Sequence, residues 1–206
     1  MPNRRDVLSL MGIGAALALL PLARPAHAEM VPALGEMTLG PADAPVTVIE
    51  YFSLGCSHCR DFHAHIFTPF KEAYVDTGKV RFIARDFPNN EPSLRAAMLA
   101  RCAGEDRYFA FVDTLFDGFD FWAGPGVDNM AALAQIAALG GVSRAQFDAC
   151  LANVQVESAV LGNQLLGMTE HEVEYTPTFI IEGRKHVGAI PFDELVPILD
   201  RHLGEV

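Results

Sequence analysis

Two cysteines three positions apart, in Cys56-Ser57-His58-Cys59, are the residues best placed by type and spacing to do chemistry. They follow a β-branched, aromatic run and open a helical pattern, so Cys56 falls near a helix N-cap and Cys59 one turn in. Unpaired backbone N–H groups at a helix start, with the helix dipole, favour an anion. The dipole contributes roughly 1 kcal/mol, about one pKa unit for a thiol. A strongly acidic thiol needs more. His58 is the candidate, as a nearby positive charge, and backbone N–H groups add hydrogen bonds to sulfur. Thiols in such motifs span pKa values of about 3.5 to 7.5. Cys56 therefore reads as the attacking thiolate and Cys59, buried, as the resolving thiol. Whatever stabilises the thiolate stabilises the reduced pair and makes the disulfide more oxidising. The two sulfurs carry the electrons, so no cofactor is expected.

Other chemistries compete for the same residues. A C-x-x-C pair is also half of a zinc site, which needs a second pair at similar spacing. Cys102 and Cys150 stand 48 positions apart, and His63 and His65, two apart on a helix, diverge. A metal-binding module using Cys56, Cys59 and His58 is thus the rival from another class. A peptide-binding chaperone without redox turnover is a further one. A purely structural Cys56–Cys59 bridge closes too small a ring to remove much chain entropy. Thr176-Pro177 is the second element of interest. An X-Pro bond costs only about 0.5–1 kcal/mol to be cis, although a proline at a strand start is also ordinary. Its position before the last pair of strands would set it across from Cys56, lining a groove for an extended polypeptide. With 56 and 59 paired, Cys102 and Cys150 remain. Either they form a structural disulfide, whose loop is worth about 4 kcal/mol in the chain-entropy account, or they are two buried free thiols.

The elements that must position these residues follow from periodicity. Residues 29–44 contain Pro and Gly and read as an arm. Residues 45–53 (PVTVIEYFS) read as a buried strand and 79–87 (KVRFIARDF) as a second. Between them 57–75 is helical, with Pro69 inside to kink it. Strand, helix, strand at this spacing makes a βαβ unit with parallel strands. Residues 91–102, 106–116, 127–139, 143–151 and 154–170 read as helices separated by glycines. The strand signal returns at 178–181 and 186–190, joined by a turn at 182–185 as an antiparallel hairpin. Residues 191–203 close the chain as a helix starting at Pro191. The class is α/β: a mixed sheet with an inserted all-helical domain. Residues 29–88 and 172–206 form the sheet domain and 89–171 the insertion, because neither half of the sheet closes a core alone.

Composition bounds the partners. The 206 residues carry 26 acidic and 15 basic side chains, a formal charge of −11. Residues 1–28 read as an export signal: Arg4-Arg5, an apolar run to about Ala23, then Ala26-His27-Ala28 with cleavage after Ala28. The run is short for a spanning helix, and the paired arginines resemble a twin-arginine signal. These residues hold Arg4, Arg5 and Arg24 against Asp6, so their removal takes the charge to −13. A surface of that sign disfavours nucleic acid and anionic membrane as partners. The twin-arginine likeness points to the bacterial periplasm, an oxidising compartment.

With these residues in view, the chain resembles the thioredoxin superfamily, and within it the DsbA family of thiol-disulfide oxidoreductases. The resemblance spans nearly all of the exported part. It is strongest at Glu50-Tyr51-Phe52-Ser53-Leu54-Gly55-Cys56-Ser57-His58-Cys59, at Thr176-Pro177-Thr178 and at Val187-Gly188-Ala189-Ile190-Pro191-Phe192. It implies a thioredoxin-like fold, Cys56 as exposed nucleophile, Cys59 as resolving thiol and Pro177 as a cis-proline preceded by Thr176. It also implies that Glu50 is a buried acid exchanging a proton with Cys59; the plainer alternative is a carboxylate paired with Arg85. The implied substrates are unfolded, newly exported polypeptides, and the implied reoxidant is a DsbB-type membrane protein. A monomer is expected. Two departures from the family's strong oxidants stand out. Ser57-His58 replaces Pro-His between the cysteines, and Thr176 replaces Val before the proline. An isomerase or reductase of the same fold is the runner-up. The isomerases carry a sizeable N-terminal dimerisation domain, whereas only residues 29–44 precede the first expected strand.

Overall fold

The computed structural model describes residues 32–204, so the export signal read in residues 1–28 lies outside them. β2 (Val46–Phe52) forms the middle of a five-stranded sheet ordered β1 (Met37–Leu39), β3 (Val80–Asp86), β2, β4 (Thr178–Ile181), β5 (Arg184–Val187). β2 and β3 run parallel; the other neighbours are antiparallel. The β-branched and aromatic side chains of β2 suit a strand covered on both faces. Its even positions Val46, Val48 and Phe52 enter the main apolar core, and Tyr51 joins a small cluster with Phe87, Val173 and Ile180. Glu50 shares the parity of Val48 and Phe52, which sends its carboxylate to the core side.

Three local differences from the expected elements have physical causes. β1 lies inside the stretch read as an arm; three residues are too few for an alternation to register. Glu36 beside it bonds Arg85 of β3. The helix from Ser57 onward is not one kinked rod. It runs as α1 (Ser57–Phe62), a π segment (His63–Phe67), α2 (Thr68–Phe70) and a second π segment (Lys71–Val75). Pro69 donates no backbone hydrogen bond, and the wider turns on either side accommodate the gap. The last hairpin turns over Glu182-Gly183 alone, both at positive φ (46° and 77°), the mirror-image turn that matches strand twist. β5 therefore starts at Arg184 rather than 186, and ends at Val187 as Gly188 turns away at φ 92°.

Between β3 and β4 the chain forms α3 (Glu91–Cys102), α4 (Tyr108–Asp117), α5 (Phe119–Trp122), α6 (Asn129–Leu139), α7 (Arg144–Leu151) and α8 (Val154–Glu170). α5 is short and was not expected. α9 (Phe192–Leu203) closes the chain, with Pro191 as its cap rather than its first residue. The inserted helices share one continuous core with the sheet: Phe116 packs on Phe52 and Phe109 on Phe82. The buried Arg101 side chain of α3 pairs with Asp86 of β3 and donates to the carbonyls of Ala33 and Gly35. Tyr108 donates to the other Asp86 oxygen at 3.0 Å. This pairing keeps a costly buried charge compensated.

Candidate active site

The site is built where β2 gives way to α1. Cys56 is the N-cap of α1, in extended conformation (φ −103°, ψ 119°), with no side-chain cap of its own. The loop before it is fastened to the start of α3. Ser53 Oγ donates to Asn89 Oδ1 at 2.9 Å and accepts from the Gly55 N–H at 3.2 Å. A Cβ on Gly55 would stand 3.0 Å from both Asn89 Oδ1 and the Ser93 Cβ, so a larger residue would push these neighbours back by a few tenths of an ångström. Asn90 caps α3 reciprocally with Ser93. The cysteine pair is thus set by two helix starts meeting at one loop.

The two sulfurs sit in unlike surroundings. Cys59 is fully buried and accepts a weak hydrogen bond from the Ser53 N–H at 3.5 Å. Cys56 is half-buried, and in its protonated form the thiol donates to the Thr176 carbonyl at 3.2 Å. Hydrogen bonding from Cys59, helped by Thr176 and the Cys59 and His58 backbone N–H groups, outweighs desolvation and lowers the Cys56 thiol to about 5. Burial, with the Cys56 bond and the Glu50 charge, pushes the Cys59 thiol well above its ordinary value. One sulfur is held as an anion and the other as a neutral thiol, the asymmetry that dithiol exchange requires. The His58 side chain is exposed, and it is the backbone N–H of His58 that reaches Cys56.

The Thr176–Pro177 peptide is cis. Its loop is held by Thr178 Oγ1 donating to the Tyr175 carbonyl at 2.7 Å and by the Gly188 N–H donating to the Pro177 carbonyl at 2.8 Å. Pro177 is buried and Thr176 half-buried beside Cys56. Cys102 and Cys150 form a disulfide tying α3 to α7, remote in sequence from the dithiol. Among the described residues, no group of three or more His, Cys, Asp or Glu is arranged to hold a metal ion.

Glu50 is fully buried, and its charge is felt at Cys59. The pairing with Arg85 does not form, and the sheet register gives the reason. Arg85 stands beside Tyr51, on the opposite face, and donates to Tyr51 Oη and Glu36 Oε1, each at 2.7 Å. Glu50 Oε2 instead meets His63 Nε2 at 3.1 Å. The sequence offers His63 only as a metal ligand. The signal was nevertheless available: it lies four residues after Cys59, on the same helix face.

A mixed sheet of this order, with a reactive cysteine pair at a helix start facing a cis-proline, defines the class of thioredoxin-fold dithiol proteins. The comparisons agree. A family model described as Thioredoxin matches residues 33–201. The crystal structure of alpha-DsbA1 from Wolbachia pipientis superposes with a TM-score of 0.77 at 30% identity, covering 85% of this chain and 94% of that one. A Rickettsia bellii protein, provisionally named a protein-disulfide oxidoreductase, is 32% identical over 151 residues, 72% of this chain. The chain spans 57% of that relative's length. Disulfide bond formation protein D of Bacillus subtilis is 26% identical over 180 residues, 82% of this chain and 78% of that protein. The chain belongs to the DsbA family of the thioredoxin superfamily.

Proposed function

We propose that this protein oxidises dithiols in newly exported polypeptides, working in the periplasm after loss of residues 1–28. The observation that carries the reading is the split between the two sulfurs, with Cys56 lowered to about 5 and Cys59 pushed up. A low thiolate pKa at the exposed cysteine stabilises the reduced pair and so favours giving the disulfide away.

A substrate thiolate attacks Cys56 Sγ, the Cys56–Cys59 bond breaks, and its electron pair goes to Cys59. Buried and with a raised pKa, Cys59 takes a proton; Glu50 is its proposed donor. The mixed disulfide lies against Thr176-Pro177, where the exposed Tyr175 and Val187 offer apolar contact. A second substrate thiolate then attacks the substrate sulfur of the mixed disulfide and releases Cys56 as a thiolate. The substrate loses two electrons and two protons. The enzyme keeps both electrons and one proton on Cys59, and the other proton goes to solvent. A membrane reoxidase of the DsbB type would restore the disulfide, and the chain would act as a monomer. In this reading residues 29–88 and 172–206 carry the exchange chemistry, while the helices of 89–171, pinned by Cys102–Cys150, brace it.

Equilibration with glutathione buffers tests the oxidase reading. A midpoint near about −120 mV is expected, and one near about −270 mV would overturn it in favour of a reductant. Thr176 favours the isomerase as the second reading. Reactivation of a scrambled disulfide protein without added oxidant separates the two.

A further inference from the structure

Among the described residues, Glu50 Oε1 and His63 Nδ1 are both buried with no hydrogen-bond partner. They are the two free ends of one hydrogen-bonded pair. A carboxylate oxygen and a ring nitrogen 3.1 Å apart must share a proton, since both are otherwise acceptors. A buried pair with an open acceptor or donor at each end is costly as pure scaffold. It is also the arrangement needed to hand a proton in at one end and out at the other.

The surroundings give the two ends different neighbours. On the core side, the Glu50 charge acts on Cys59 and on the buried Tyr108 hydroxyl. On the other side, the His63 ring stacks between Phe67 and Phe116, centroids 4.7 and 4.6 Å away. These three rings form part of the wall of a cleft of about 720 Å³ between the α1–α2 segment and α4. Asp113, Asp117 and Lys71 line the same cleft, and the charges of His63 and Asp113 act on each other. His63 is the first residue of the π segment. The widened turn lets Phe62 and His63, neighbours in sequence, both face inward, as π turns often do at functional sites.

We propose that His63 is the proton port of the dithiol: its imidazole carries the proton that Cys59 gains and loses between Glu50 and the open cleft beside α4. This rests on the thiol-exchange reading above and adds a route to it. When the Cys56–Cys59 bond breaks, Glu50 gives its proton to the Cys59 thiolate, the neutral imidazole returns one from Nε2, and Nδ1, buried behind the cleft wall, gains one from solvent in the same exchange. In reoxidation each transfer reverses. His63 acts through Glu50 and never meets the sulfurs, so it is a positioning residue rather than a catalytic one.

Stopped-flow reaction of the reduced full chain with oxidised glutathione separates two steps: attack by Cys56, then release of glutathione by Cys59. Only the second needs the Cys59 proton removed. In H63Q, which keeps a hydrogen bond to Glu50 but conducts no proton, the second step should slow by about 100-fold and lose its pH inflection. An H63Q second step with the parent's rate and pH profile would overturn the proposal. If H63Q does not fold, H63N replaces it with the same slowing expected, and an H63N second step with the parent's rate and pH profile would overturn the proposal. A parent that forms no mixed disulfide at Cys56 sinks the exchange reading and this inference together. A parent that exchanges normally beside an unaltered H63Q sinks this inference alone.

Discussion

At the scale of single residues, the Cys56 thiolate governs how the protein responds to pH. Its alkylation by iodoacetamide should titrate with a midpoint near about 5, while Cys59 stays unmodified in the folded protein at neutral pH. Thr176→Val keeps the carbonyl and removes the hydroxyl that helps lower Cys56, so the alkylation midpoint should rise. The sign for the redox couple follows from the protons. Above about pH 5 reduction takes up one proton, on Cys59; below it, two. The midpoint potential should therefore change by about 30 mV per pH unit near neutrality and by about 60 mV under more acid conditions. The advantage of the reduced form is complete above the ordinary thiol value of 9.0 and fades as pH falls toward about 5. A uniform slope through that window would remove the acidic thiolate from the mechanism. The sequence made Cys56, Cys59 and Pro177 legible because their chemistry rides on spacing within one loop. Of the Glu50 partner only the spacing of His63 from Cys59 was legible, not the contact itself. It depends on which face of β2 each side chain takes and on a helix that changes pitch at His63, and neither is a local property.

At the scale of elements, the close seating of α8 on the sheet depends on one small residue. A Cβ on Gly167 would stand 2.7 Å from Tyr51 Cε1 and 3.2 Å from Phe87 Cδ2. Alanine favours a helix by about 1 kcal/mol over glycine, but overpacking typically costs about 1–3 kcal/mol. Gly167→Ala should therefore be neutral to destabilising by up to about 2 kcal/mol in urea unfolding. A clear gain in stability would mean that α8 is not seated this closely. Asn90→Ala, which breaks the reciprocal cap of α3, should cost about 1 kcal/mol by the same measure. Long elements with strong patterns were readable, and α8 spans the same residues in sequence and structure. The misses were short or set by a neighbour: β1 exists because β3 offers it an edge, and β5 starts two residues early because a two-residue turn fits strand twist.

At the scale of the whole molecule, the sheet and the inserted helices stand on one core, so the Cys102–Cys150 bridge braces the molecule that holds the dithiol. The chain-entropy account gives its loop about 4 kcal/mol. Replacing both cysteines by alanine should lower the free energy of unfolding by about 2–4 kcal/mol while leaving the Cys56 alkylation midpoint near its parent value. A midpoint that moves with the bridge would mean that the helices tune the thiolate as well as support it. That a helical block sits between two halves of the sheet was readable from the return of strand signal at 178. That the block has no separate core was not, because contacts such as Phe52 with Phe116 join residues far apart in the chain.

The burial of Cys59 has a further consequence, best put as a count of valences. Of the four cysteines in the chain, Cys102 and Cys150 are bonded to each other and Cys59 has no exposed surface. Only Cys56 meets the outside, so toward other proteins the folded molecule is monovalent. Branched networks grow from units with more than two reactive ends, and linear ones from units with two. A monovalent unit can only cap. In a mixture of chains exchanging disulfides, this protein can end a cross-link but cannot extend one, however concentrated it becomes.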